Sequence, residues 1–159
     1  MSNIPLYGQN KDGDALGSVA SSRGYLKITA GVTLVGSEGG IIHIADSDAC
    51  AIVLPEITAS LDGLEYKFIM ANDAGGSITI TSTDQAGDFY QGTLAVHQVN
   101  SDDGFAANGT SNNIITMNAT TTGGLLGSEV NVRAKYLDGW IVWGSVLGTD
   151  GTAATPFSG

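Results

Sequence analysis

Two histidines, His43 and His97, one cysteine, Cys50, and two Asp-x-Asp pairs are the residues of this chain that could do chemistry. The Asp-x-Asp spacing of Asp12-Gly13-Asp14 and Asp46-Ser47-Asp48 is how calcium loops begin. Such a loop closes with a bidentate acid at its twelfth position. That position is Arg23 counting from Asp12 and Ile57 counting from Asp46, so both segments read as turns. Neither histidine has a His or Cys at ligand spacing, and no bound metal is expected. A nucleophilic serine would sit on a Gly-x-Ser-x-Gly elbow, which the chain lacks. A catalytic thiol needs a base beside it and some exposure. Cys50 instead lies in the apolar run Ala49–Leu54 and reads as a buried thiol. Asp102-Asp103 reads as a solvated turn rather than a pair of glycosidase acids. The expectation is a protein that is not an enzyme and carries no cofactor.

The aromatics are the better candidates for contact with a partner. Trp140 and Trp143 lie three apart on one strand-like run, so they face opposite sides of a sheet. Trp140, in step with Val142, is expected inside. Trp143 is expected outside, covered by a neighbouring subunit or free to stack on a sugar. Tyr90 and Tyr136 are the other aromatics assigned to such an interface or glycan contact. Asn108-Gly109-Thr110 and Asn118-Ala119-Thr120 match the glycosylation sequon, which means little without a secretory signal.

What must position these residues is a set of short strands. Period-2 runs of Val, Ile, Thr, Tyr and Phe are broken every few residues by some of the chain's 23 glycines, which excludes long helices. Leu64–Ala71 and Ser77–Ser82 flank Asn72–Gly76 and read as a hairpin. Pro55 ends the strand before it, because proline has no N–H to give a ladder. Ile57–Leu61 is long enough for a single helical turn. Asn100–Asn112 is polar and rich in turn residues, and reads as a surface loop. Ser128–Tyr136 alternates polar and apolar residues, and Asp138-Gly139 turns it into the strand holding both tryptophans. Eight to ten strands at this spacing predict an all-β fold, an antiparallel β-sandwich or jelly roll. No internal repeat of fixed period is visible. The organisation expected is an extended N-terminal arm over 1–23, the sandwich over 24–147 and a C-terminal tail over 148–159.

Composition narrows the partners. Hydrophobic residues make up 42% of the chain, enough for a core, while charged residues make up only 14% against a usual ~25%. A surface built from Ser, Thr, Asn and Gly suits a large interface. Formal net charge is −10, with 16 acids against six bases and no cluster of Lys or Arg. Nucleic acid and anionic membranes are therefore not expected partners. One cysteine excludes an intrachain disulfide. No apolar run approaches the ~20 residues of a membrane helix, and no charged region followed by an apolar stretch opens the chain.

Four segments carry a resemblance. They are Ile52-Val53-Leu54-Pro55, Gly63-Leu64-Glu65-Tyr66-Lys67-Phe68, Ser77-Ile78-Thr79-Ile80 and Asp138-Gly139-Trp140-Ile141-Val142-Trp143-Gly144. Together they resemble β-sandwich virion proteins of tailed bacteriophages. The opening, Ile4–Asn10 with Asp12-Gly13-Asp14, is similar to the start of small structural proteins of marine T4-like phages. The resemblance covers most of 24–146 through short, permissive motifs. It implies a capsid decoration (cement) protein, a homotrimer on the capsid exterior assembled in the host cytoplasm. The major capsid protein would be its partner, reached by Ile4, Pro5, Leu6 and Tyr7 of the arm. The alternative expectation is a tail- or fibre-associated module that recognises glycans through Trp143, Tyr90 or Tyr136 and the Asn100–Asn112 loop.

Overall fold

Alternation in the sequence becomes alternation in burial. Along Glu65–Met70, for example, Tyr66, Phe68 and Met70 are buried and the residues between them are half-buried. The computed structural model describes residues 24–83, 89–149 and 151–159. These form twelve strands: β1 (Tyr25–Ile28), β2 (Val32–Thr33), β3 (Ile42–Ala45), β4 (Cys50–Val53), β5 (Glu65–Met70), β6 (Ile78–Thr81), β7 (Tyr90–His97), β8 (Asp102–Asn108), β9 (Ile114–Met117), β10 (Glu129–Lys135), β11 (Gly139–Leu147) and β12 (Phe157–Ser158). Two short 3-10 turns, Gly36–Glu38 and Ala59–Leu61, are the only helical pieces among the described residues. The second of them is the single turn expected within Ile57–Leu61.

Two sheets pack face to face as a β-sandwich. The large sheet has the order β1-β3-β5-β10-β11-β7-β8 and the small sheet the order β12-β9-β6-β4-β2. Tyr66, Phe68, Val130, Val132, Trp140, Val142, Leu94 and Val96 point inward from the large sheet. Ile52, Ile78, Ile80, Ile115 and Met117 meet them from the small one, in one continuous core. Each such side chain contributes about 1.5–3 kcal/mol by leaving water.

The sheets are mixed rather than antiparallel throughout. β1, β3 and β5 are parallel in the large sheet, and β2, β4 and β6 are parallel in the small one. From β1 to β6 the chain therefore passes alternately between the sheets and stacks each new strand on the one two before it. This is a short parallel coil, not the Greek-key path of a jelly roll. Tyr25 pairs with Ile42 and Ile42 with Lys67, so successive turns take 17 and 25 residues. Unequal turns leave no fixed period for the sequence to display.

Three further expectations are corrected. Leu64–Ala71 and Ser77–Ser82 are not a hairpin, since β5 lies in the large sheet and β6 in the small one. Asn72–Gly76 crosses between the layers, and Ile78 and Ile80 meet the β5 aromatics across the core rather than along a ladder. Asn100–Asn112 is not simply a loop, because Asp102–Asn108 is strand β8. It lies at the edge of the large sheet, where one neighbour suffices and polar residues are tolerated. The segment expected as a C-terminal tail packs onto the sandwich. Phe157 pairs with Ile115 and is buried, and the Ala154 N–H donates to the Thr121 carbonyl at 2.9 Å. The expected hairpin at Asp138-Gly139 does form, joining β10 to β11 with Lys135 opposite Gly139. The expected arm, including Ile4, Pro5, Leu6, Tyr7 and the Asp12-Gly13-Asp14 turn, lies outside the described residues.

Candidate binding face

β10 and β11 sit at the centre of the large sheet and carry its most distinctive outward side chains. Their register places Asn131 opposite Trp143 and Arg133 opposite Ile141. Trp140 is fully buried, edge-on to Tyr66 at 5.8 Å between ring centroids. Three residues on, Trp143 faces out and is 38% exposed. The Arg133 guanidinium lies over its ring, 5.5 Å from the centroid, a cation–π contact that holds the indole from the β10 side. On the β7 side the strand neighbour of Trp143 is Thr93, small and exposed.

Charge on this face is ordered into pairs. Arg133 Nε donates to Glu65 Oε1 at 2.7 Å, and Lys67 reaches Glu129 at 2.7 Å. The Lys67 ammonium, and after it the Asn131 amide at 2.9 Å, hold the Glu129 carboxyl below the usual carboxylate range. Lys135 pairs with Asp138 at 2.8 Å, and Lys27 pairs with Asp46. Every described Lys and Arg thus has a carboxylate partner. At these exposures each pair adds little stability, but together they leave no cationic patch among the described residues. A shallow depression of about 100 Å³ opens beside Asn131, lined also by Gly40, Ile42, Glu65 and Lys67.

The opposite outer face is different in kind. Ala51, Val53, Thr79, Thr81, Ile114 and Thr116 hold outward positions on β4, β6 and β9, between the buried Ile52, Ile78, Ile80 and Ile115. Their registers bring Thr79 beside both Ala51 and Thr116. No charged residue occupies an outward position on any strand of the small sheet.

The remaining candidates fall elsewhere. Tyr90 cannot serve as a surface aromatic. It is 0% exposed, its hydroxyl donates to the Ile80 carbonyl at 3.1 Å, and burial pushes its phenol well above the ordinary range. Tyr136 is 42% exposed in the β10–β11 turn, where its N–H donates to Asp62 Oδ1 at 2.9 Å. His97 Nδ1 meets Asp102 Oδ1 at 3.1 Å, but the Ser101 hydroxyl donates to Asp103 rather than to the histidine. His43 is buried between Tyr66 and Phe68. Cys50 is buried, and burial raises its thiol. Asp46 is held by Lys27 and by the Asn72 amide, and the chain bends just after it, at 47–49. No group of three or more His, Cys, Asp and Glu able to hold a metal occurs among the described residues. No helix among them is long and apolar enough to cross a membrane.

The sequence analysis singled out Trp143 but missed Arg133, Asn131 and Lys67. Only their alternation on two strands was visible, not the register that gathers them. No protein-family model, curated protein or solved structure matches the chain.

Proposed function

We propose that this protein is a non-enzymatic structural component of a tailed-bacteriophage virion. It binds the outside of the capsid as a homotrimer, with the major capsid protein as its partner, and stabilises the lattice. The observation that supports this reading is the uncharged outer face of the small sheet, where Thr, Val, Ala and Ile replace the ion pairs of the opposite face. A face without charge can be covered by another protein at little desolvation cost. The motif resemblance points the same way. Stabilisation then follows from mass action. A protein that binds only the assembled shell makes disassembly less favourable, and three linked contacts multiply weak affinities.

The test is co-sedimentation of the purified chain with decoration-free phage capsids, with its free mass measured by light scattering. Saturable binding at a fixed ratio to the capsid protein and a trimeric free mass are expected. Thr79→Glu with Thr116→Glu should weaken that binding while leaving the fold intact, and so should Leu6→Asp with Tyr7→Ser in the arm. Failure of the wild-type chain to bind any intact shell sinks the reading. Undiminished binding by both double variants would remove the assigned contacts.

A further inference from the structure

One row of side chains crosses the outward face of the large sheet. Tyr25 pairs with Ile42, Ile42 with Lys67, Lys67 with Asn131, Asn131 with Trp143 and Trp143 with Thr93. Partners on adjacent strands point to the same side of a sheet, so these six residues form a continuous line across six strands. An exposed aromatic stands near each end, Tyr25 at 36% and Trp143 at 38%. Four strand spacings separate them, about 19 Å in all. The shallow depression beside Lys67 and Asn131 lies between them.

We propose that this row binds a single soluble, uncharged polysaccharide chain laid across the strands. The argument is chemical and geometric. An aromatic ring offers an apolar face to the C–H face of a pyranose, and two such rings are placed along one line. Thr93 and Lys67 lie on the same line and supply hydrogen-bonding groups for hydroxyls, while Asn131, 8% exposed with its amide held by Glu129, floors the row beside Lys67. One strand spacing, about 4.8 Å, is close to the length of one sugar unit, so a linear chain laid along the row keeps step with its strands. The depression is too shallow to enclose a compact ligand, which would need most of its surface buried. Because Lys67 in the row and Arg133 beside it are already paired with Glu129 and Glu65, the face offers an anionic polymer no unpaired cation. Sheets twist by roughly 20–25° per strand, so a flexible chain can follow the row where a flat crystalline surface cannot. Arg133 keeps the indole in place before the ligand arrives, which lowers the ordering cost of binding.

Affinity electrophoresis of the purified chain, in gels containing a galactomannan, a β-glucan, an α-glucan or acidic alginate, tests this directly. Fluorescence titration with oligomers of increasing length complements it. Binding to capsids plays no part in either measurement, so the outcome is independent of the capsid reading. At least one neutral polymer should retard the wild-type chain, with little effect of salt. Trp143→Ala should lose about tenfold or more in affinity, and Trp143→Phe should recover part of it. Tyr25→Ala should weaken long oligomers, which span the row, and leave short ones unaffected. Absence of retardation by every neutral polymer overturns the proposal. So does retardation by alginate alone that salt abolishes, or wild-type affinity in Trp143→Ala. If Trp143→Ala fails to fold, Tyr25→Ala decides: loss of the chain-length dependence supports the row, and its persistence overturns it.

Discussion

His43 is the residue whose surroundings fit its chemistry least. It is 0% exposed, and its ring lies 5.5 Å from Tyr66 and 5.3 Å from Phe68. Burial holds the imidazole below its ordinary value, since charging it there would strand a cation in the core. The unfolded chain titrates near ~6.5. Above that pH neither state is protonated and stability is unaffected. As pH falls below it, the unfolded state takes up a proton that the folded state refuses, and stability is lost by at most about 1.4 kcal/mol per pH unit. The thermal midpoint should therefore drop from pH 6.5 to 5 more steeply in the wild type than in His43→Leu. Equal slopes would assign the acid sensitivity to other groups. That His43 belongs to the core or an interface is readable from the strand-like Ile41–Ile44 around it. Its enclosure by Tyr66 and Phe68 is not, because that depends on where β5 comes to lie.

Among the elements, the pairing of β7 with β11 is the least foreseeable. The strands are parallel, with Gly92 opposite Val142. Gly92 has φ +125°, a conformation that L side chains rarely adopt, and a methyl added there would overlap the Val142 carbonyl oxygen. That oxygen belongs to a neighbouring backbone and cannot move aside as a flexible side chain would. Gly92→Ala should cost about 3 kcal/mol or more, from backbone strain and overpacking together. In denaturant it should appear as a lower midpoint with unchanged slope. A loss below about 1 kcal/mol would mean that β7 and β11 separate easily and that this seam is not a firm part of the sheet. The sequence places Gly92 at the head of an apolar run and Val142 in another, but nothing local says that they meet. The β10–β11 hairpin, by contrast, is legible because Asp138-Gly139 joins strands adjacent in the chain.

At the scale of the molecule, the two outer faces have different characters and the C-terminus closes the sandwich. Ion pairs and Trp143 mark the large sheet, while the small sheet presents uncharged side chains. If the small sheet docks on a lattice, the large one faces outward, where a saccharide would be met. Closure depends on Phe157, which is 5% exposed, lies 6.5 Å from the Tyr90 ring and pairs with Ile115. Phe157→Ala should destabilise the whole fold by about 3 kcal/mol, in one cooperative transition followed by circular dichroism. A change confined to local fluorescence, with an unaltered midpoint, would return residues 151–159 to the status of an appended tail.

By itself the sequence determined the all-β class, most strand positions, the buried Trp140 with Trp143 outside, and a surface poor in charge. These follow from side-chain alternation and turn chemistry, which act over a few neighbouring residues. Only the tertiary structure decided the parallel coil of β1–β6, strand status for Asp102–Asn108, burial of Tyr90 and Phe157, and the row from Tyr25 to Thr93. Each of these depends on which distant strand becomes a neighbour and in what register. Register is set by the fit of a whole core face, and no short stretch of sequence contains both sides of that fit.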